Sequence, residues 1–250
     1  MFFTERASLL GPGPLILSGA EGRHAATVRR LRPGEKIDVG DGAGLVASCV
    51  VTGASGGSLE LAVESRREVP MPRPSITVIQ AIPKGDRGEL AVEEMTEVGV
   101  DRIVPWAAER SVPVWRTGGN GGTGGNGRET KGPIRWRAKA REAAKQAERA
   151  WITEVTDPVT TAEAARLIEA AAFAVLLEPA AANPLASVNP PSEGELIVVV
   201  GPEGGISPAE SATLTAAGAT AHRLGPSVLR TSTAGAVAAA VLLSRTSRWS

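Results

Sequence analysis

One stretch of the chain, Leu196-Ile-Val-Val-Val-Gly-Pro-Glu-Gly-Gly205, runs from apolar, mostly β-branched residues into a glycine-rich loop. Such a continuous apolar run is typical of a strand buried on both faces, as in a parallel sheet. The following Ser207-Pro-Ala-Glu210 has the pattern of a capping box with proline at the first helical position. We therefore predict a strand, a loop and a helix that ends near Gly218, with loop N–H groups exposed where α/β folds bind ligands.

The glycine loop lacks the two common nucleotide-binding signatures. It contains neither the Lys-Ser/Thr pair of a P-loop nor the G-x-G-x-x-G spacing of dinucleotide-binding folds, so neither an NTP nor an NAD site is expected. A loop that only makes a tight turn is the alternative, because glycine often has that role. A second loop, Gly225-Pro-Ser-Val-Leu-Arg230, favours a binding site, since it lies between a short strand pattern at 219–224 and an apolar helix from Thr231. Two loops at neighbouring strand ends can form one pocket.

The prolines at positions 70, 72 and 74 predict a domain boundary. Before them, short apolar stretches at 36–39, 45–51 and 58–63 are separated by glycine-rich turns, which is typical of a small β-barrel, here residues 1–70. After them, strand patterns alternate with helix patterns, which indicates an α/β domain with a mainly parallel sheet over residues 74–250. The segment 117–127 consists of Gly, Asn and Thr, so we expect a flexible loop, or one that orders on RNA.

The first helix of the α/β domain has clear end signals. Asp86 and Glu89 have the spacing of a helix cap, and Gly99 ends the pattern. The inner face of this helix is predicted to contain Leu90, Ala91, Met95 and Val98.

Composition narrows the class of protein. The 250 residues are 42% hydrophobic, which suffices for a sizeable core, and 27 basic residues balance 27 acidic ones. No apolar run approaches the ~20 residues of a membrane helix, and the N-terminus lacks the order of a signal peptide. The lone Cys49 cannot form an internal disulfide, and with only His24 and His222 a metal site is not expected. We expect a cytoplasmic protein with no metal and no membrane partner.

Basic residues are concentrated locally despite the zero net charge. Residues 128–149 contain eight basic and three acidic side chains. Arg137, Arg141, Lys145 and Arg149 recur at i+4 spacing, so on a helix they would form a basic stripe suited to a phosphate backbone. A solvated helix face is the alternative. A second basic cluster contains Arg23, Arg29, Arg30 and Arg32. Its presence favours RNA binding over a solvated helix face.

The paired loop motifs resemble those of the SPOUT methyltransferases. Gly201-Pro-Glu-Gly-Gly-Ile-Ser207 and Leu224-Gly-Pro-Ser-Val-Leu-Arg-Thr231 are most similar to the bacterial family that methylates N3 of one uridine in 16S ribosomal RNA. Further blocks follow in the family's order at 24–34, 41–44, 84–87, 97–105, 109–111, Trp136 and 142–146. Many relatives have Glu where this chain has Ser232, so that acid's role cannot be carried over. The segment 117–127 is not part of the pattern.

The resemblance implies S-adenosyl-L-methionine as methyl donor and 16S rRNA of the small ribosomal subunit as partner. It also implies a PUA-like RNA-binding barrel at the N-terminus and a C-terminal trefoil knot, which is exceptional among folds. The resemblance further implies a homodimer with the pocket beside the subunit interface. Carried over by motif, the residues expected to bind the cofactor are Leu177, Glu178, Gly201, Pro202, Glu203, Gly204, Gly205, Leu224, Gly225, Ser227, Val228 and Leu229.

Methylation of uridine N3 requires removal of the N3 proton, and an arginine near a uracil oxygen would stabilise the resulting anion. Arg230 is the first catalytic candidate, because it directly follows the second loop, and Arg110 is the next. Structural pairing with Glu203 or Glu109 is the alternative role, and no general base is evident. Two other functions remain open: a ribose 2′-O-methyltransferase of the same class, and a non-catalytic RNA-binding assembly protein.

Overall fold

A computed structural model describes residues 1–112, 115 and 131–249. The flexible loop predicted at 117–127 lies outside these residues. The chain forms two compact units, Met1–Met71 with Ala144–Ile152 and Pro72–Ala143 with Thr153–Ser250. Residues 144–152 belong with the first unit, which the predicted boundary at the prolines near position 72 does not account for.

The first unit is built on a five-stranded sheet with the order β1-β3-β4-β5-β2. Its strands are β1 (Phe2–Phe3), β2 (Leu15–Leu17), β3 (Lys36–Gly40), β4 (Leu45–Ser55) and β5 (Ser58–Glu68). Gly56 and Gly57, with φ of 57° and 77°, join β4 to β5 in a tight hairpin. The hairpin extends both strands past the predicted apolar stretches, because ladder hydrogen bonds need no apolar side chain.

The helical segments of the first unit are short. They are α1 (Arg6–Leu10), α2 (Gly19–Arg23) and a π-helical turn (His24–Val28) that continues from α2. The buried core of this unit includes Leu9, Leu17, Leu59 and Leu61. Inward-facing residues of the sheet and α1 therefore share one small hydrophobic core.

The second unit contains a parallel six-stranded sheet with the order β11-β9-β10-β6-β7-β8. Its strands are β6 (Ser75–Ala81), β7 (Arg102–Trp106), β8 (Glu154–Val155), β9 (Phe173–Leu177), β10 (Glu195–Val200) and β11 (Thr220–His222). The apolar run 196–200 lies in β10, which pairs with β6 on one side and β9 on the other. Its side chains from Leu196 to Val200 are buried, as expected for a strand covered on both faces.

Helices cover this sheet: α3 (Arg87–Val98), α4 (Lys131–Gln146), α5 (Thr161–Ala170), α6 (Pro208–Ala216) and α7 (Thr231–Leu243). In α3 the expected inner face is partly wrong, because Leu90 is 46% exposed and Val92 is buried instead. Gly99 ends α3 with φ of 101°, as predicted. The apolar helix α7 packs on α3, where a Cβ at Gly235 would lie only 2.8 Å from Met95 Sδ. This close approach explains the small residues of α7.

Candidate active site and nucleic-acid surface

A cavity of about 480 Å³ opens at the carboxyl ends of β9, β10 and β11 in the second unit. Both predicted loops line it, the first from the end of β10 and the second from the end of β11. Ligand sites of α/β sheets occur at this edge, and this volume is within their ordinary range. The two loops, which begin at Gly201 and Gly225, thus form one pocket.

The predicted cofactor-binding residues line this cavity, with the exception of Gly204. Arg230 also lines it, whereas Arg110 does not. The sequence analysis missed seven lining residues, namely Arg87, Pro179, Val200, Ile206, His222, Thr231 and Ala234. Val200 could have been found as the last residue of its predicted strand, and Thr231 as the first residue of the predicted apolar helix.

Two glycines of the first loop cannot be replaced without displacement or strain. A Cβ at Gly201 would lie 2.6 Å from Cγ1 of Ile206, which is closer than real contacts allow. Gly205 has φ of 74°, in the left-handed region that glycine adopts at no steric cost. The loop therefore folds tightly against its own Ile206, and at both glycines it exposes backbone without a side chain.

Hydrogen bonds and an ion pair connect the first loop to three other segments of the chain. The Thr231 hydroxyl donates to the Gly201 carbonyl oxygen at 3.1 Å, and Arg110 donates to the Gly204 carbonyl oxygen at 3.0 Å. The Lys84 N–H and the Arg87 guanidinium approach the Glu203 carboxylate at 3.3 and 3.6 Å. Glu203 is thus paired with Arg87, and neither Arg230 nor Arg110 has the predicted pairing with it.

A buried carboxylate positions the segment that contains Arg110. Glu210 of α6, 6% exposed, accepts the N–H of Glu109 at 2.8 Å and the hydroxyl of Thr161 at 3.1 Å. Its other oxygen accepts the N–H of Ser207 at 3.2 Å, which completes the predicted capping box. One side chain therefore both caps α6 and anchors the backbone next to Arg110.

The cavity contains polar groups that are open to a ligand. Within the residues that the structure describes, the side chain of Arg230 makes no hydrogen bond or ion pair, and neither does that of Glu178. The cavity thus offers an uncommitted cation and an uncommitted carboxylate. His222, by contrast, is held by its ring Nε2, which lies 3.1 Å from the Thr220 hydroxyl.

The proposed basic stripe is only partly present. Arg149 lies beyond α4, which ends at Gln146, so the four residues do not share one helix. Arg137 pairs with Asp157 at 2.7 Å, and Lys145 pairs with Glu21 at 2.8 Å. These two ion pairs compensate part of the positive charge with which the stripe was expected to bind phosphate.

The second basic cluster is more available. Its members Arg23, Arg29, Arg30 and Arg32 are all exposed and surround the end of the π-helical turn. Among the described residues, their guanidinium groups form no ion pair. Of the two predicted RNA surfaces, this cluster has the larger uncompensated positive charge.

Comparison with known proteins agrees with this architecture. Residues 70–243 match the RNA methyltransferase domain family, and residues 17–64 match the RNA methyltransferase PUA domain family. The chain is 45% identical over 238 residues to ribosomal RNA small subunit methyltransferase E of Mycobacterium bovis, covering 94% of this chain and 87% of the relative. Identity to the Bacillus subtilis protein of the same name is 27%, covering 87% and 85%.

A solved Legionella pneumophila methyltransferase, in complex with the cofactor SAM, shares the fold. It superposes with a TM-score of 0.79 at 26% identity, over 98% of this chain and 97% of that one. The similarity therefore covers both units and the loops that line the cavity.

Proposed function

This chain belongs to the RNA methyltransferase family, and from that premise we propose that it methylates N3 of one uridine in 16S rRNA, with S-adenosylmethionine as donor. The observation that carries the proposal is the cavity at the ends of β9, β10 and β11, which both family loops line. An arginine without a partner among the described residues lies on the same cavity.

The cavity residues fit the methyl donor. Leu177, Val200 and Val228 supply apolar surface for the adenosine and the methylene groups of the donor, and the glycine loop supplies backbone groups. The Glu178 carboxylate suits a ligand that has both a sulfonium and an ammonium charge. When bound, the donor supplies a methyl group that is already activated by the positive sulfur, so the protein mainly has to position the partners.

Arg230 is the residue best placed to act on the uridine. It precedes α7, lines the cavity and has no ion pair with a described residue, so its guanidinium is available for a contact with a uracil oxygen. Negative charge develops on O2 and O4 as N3 loses its proton, and a fixed cation stabilises that charge. N3 lies on the Watson–Crick edge, so a paired uridine would first have to leave its helix.

We further propose that the first unit holds the RNA through Arg23, Arg29, Arg30 and Arg32. The match of residues 17–64 to the PUA family supports this role. In the part of the chain that the structure describes, no helix is both long and apolar enough to cross a bilayer. A cytoplasmic location is our proposal, and it agrees with a ribosomal substrate.

A homodimer and a C-terminal trefoil knot are further proposals from the same family resemblance. The second loop supports a dimer interface beside the cavity, because Val228 is 77% exposed and Leu229 follows it with its side chain part-exposed. Large apolar side chains on a loop of this kind are typical of a contact surface. Sedimentation analysis should give a dimer mass.

Nucleoside analysis tests the proposed reaction. Small ribosomal subunits from cells lacking the enzyme would be incubated with the protein and the methyl donor, and the rRNA digested for mass spectrometry. We expect one 3-methyluridine per 16S rRNA. A 2′-O-methylated nucleoside would indicate the alternative methyltransferase, and donor binding without any modified nucleoside would indicate an assembly protein.

A further inference from the structure

A second cavity, of about 520 Å³, lies in the first unit and takes no part in the proposed methyl transfer. Phe2 and Cys49, both nearly fully buried, line it beside the exposed ends of longer polar side chains. Its charged lining residues are Arg29, Lys36, Asp38, Glu64, Arg67 and Glu148. The three basic and three acidic side chains have a formal net charge of zero, and Met1, whose N-terminal ammonium donates to the Lys145 carbonyl oxygen at 3.4 Å, also lines the cavity.

Most of these charges are already paired around the cavity. Arg67 contacts Asp38 at 3.0 Å, and Lys36 contacts Glu64 at 3.1 Å. The Ser48 hydroxyl donates to the Asp38 carboxylate at 2.8 Å. The cavity wall therefore presents paired donors and acceptors that remain partly exposed, so a ligand can reach them.

Arg29 and Glu148 differ from the other charged residues of the wall. Neither forms an ion pair with a described residue, although both line the cavity. They thus add one uncommitted donor group and one uncommitted acceptor group to the same space. A polar ligand with both kinds of group would satisfy them together.

Backbone strain coincides with this cavity. Among the described residues, Arg30 and Glu148 are the non-glycine positions with positive φ, at 51° and 53°. Glu148 lines the cavity, and Arg30 directly follows Arg29, which also lines it. Such conformations cost free energy and occur preferentially at ligand-binding sites. The π-helical turn His24–Val28, another feature enriched at functional sites, leads into the same segment.

We propose that this cavity receives one unpaired base of the substrate RNA, a base other than the methylated uridine. A wall whose side-chain charges balance favours a neutral base over a phosphate, and a base edge offers both donors and acceptors to it. The phosphates flanking that base would lie at the neighbouring cluster that contains Arg23, Arg30 and Arg32. Sequence-specific RNA recognition commonly uses unstacked bases in this way. The inference rests on the proposed RNA substrate and deepens it.

A cycle of protein and RNA changes tests this inference. Ser48→Phe would fill the cavity, and Ser55→Phe places the same side chain on the same strand outside the lining residues. Each variant and the wild type would be titrated with a 16S rRNA fragment in which unpaired nucleotides are made abasic one at a time. Thermal melting checks that the variants fold, and Arg29→Gln is the second cavity variant if Ser48→Phe does not.

We expect one abasic position to weaken wild-type binding about tenfold, as for the loss of one base contact. The same position should have no effect on Ser48→Phe and its full effect on Ser55→Phe. If every abasic effect is equal in wild type and in the cavity variants, no base enters the cavity and the inference is overturned. Binding is measured without methyl transfer, so a protein that binds but does not methylate contradicts the proposed function alone. A protein that binds no rRNA contradicts both.

Discussion

Arg110 Nη1 donates a hydrogen bond to the carbonyl oxygen of Gly204 at 3.0 Å, although neither residue lines the cavity. The bond fixes one peptide unit of the glycine loop from its outer side. The backbone next to Arg110 is itself held by Glu210, whose carboxylate accepts the Glu109 N–H at 2.8 Å. We therefore assign Arg110 to positioning of the loop and leave Arg230 as the catalytic candidate.

Arg110→Met should weaken binding of S-adenosylmethionine about tenfold, the usual effect of losing a hydrogen bond from a charged donor. Turnover at saturating donor should change little, because the uridine contacts are intact. Calorimetric titration and steady-state kinetics would measure the two quantities. Arg166→Met, which removes an exposed arginine from α5, is the control. A loss of kcat with unchanged donor affinity would instead make Arg110 catalytic.

Arg230→Ala should show the reverse pattern. Donor and RNA should still bind, whereas kcat should fall about 10²-fold or more, as when one transition-state donor is removed. Single-turnover assays with unmodified small subunits would measure the chemical step. Turnover equal to that of the wild type would mean that Arg230 has a structural role only.

Gly205→Val should abolish donor binding, because a β-branched residue is strained at φ of 74° and would deform the loop. Gly201→Val should do the same, since its Cβ would meet Ile206 at 2.6 Å. Gly53→Val in β4 is a suitable control, as its Cβ would meet only the Glu60 side chain at 3.4 Å. Undiminished donor affinity in Gly205→Val would show that the cofactor site lies elsewhere.

Replacing Arg30 and Arg32 together by Gln should weaken RNA binding and flatten the salt dependence of log K. Each phosphate contact to single-stranded RNA contributes a slope of about 0.7, so a loss of about 1.4 is expected. The pair Arg141→Gln and Lys145→Gln should lose less, because Lys145 is paired with Glu21. Equal or larger loss in the second pair would move the RNA surface to α4. Donor affinity should be unchanged in both.

Cys49 should react slowly with iodoacetamide in the folded protein. Burial, followed by the nearby Asp38 charge, raises the pKa of its thiol from 9.0 to about 11. At pH 8 the thiolate is therefore only about 10⁻³ of the total, against about a tenth in urea-unfolded protein. The rate of alkylation should rise about tenfold per pH unit up to about pH 11. A rate that does not rise in this way would indicate that opening of the cavity exposes the side chain.

The raised pKa of Cys49 also makes the stability of the protein depend on pH. Because the folded pKa is the higher one, the stabilising contribution of Cys49 is fully present below pH 9 and is lost between pH 9 and about 11. Cys49→Ala should remove this part of the pH dependence of Tm. A wild-type and variant difference that is constant from pH 8 to 11 would contradict the shifted pKa.

Local sequence patterns determined much of this structure. The apolar, mostly β-branched run 196–200 is typical of a strand buried on both faces, as the central strands of a parallel sheet are. The capping box of Ser207 and Glu210 acts within one helical turn, so the start of α6 could be predicted without its surroundings. The residues that the family resemblance implied for the cofactor line the cavity with the exception of Gly204, since the family's loop motifs follow directly after strand ends.

Only the tertiary structure decided which charges are available. Arg137 and Lys145 have the spacing of a phosphate-binding stripe, but Asp157 and Glu21 neutralise them. The contact of Arg110 with Gly204 and the joining of Phe2, Ser48 and Glu148 in one cavity also bring distant segments together. Such pairings depend on how whole elements pack, and no local propensity or spacing encodes them.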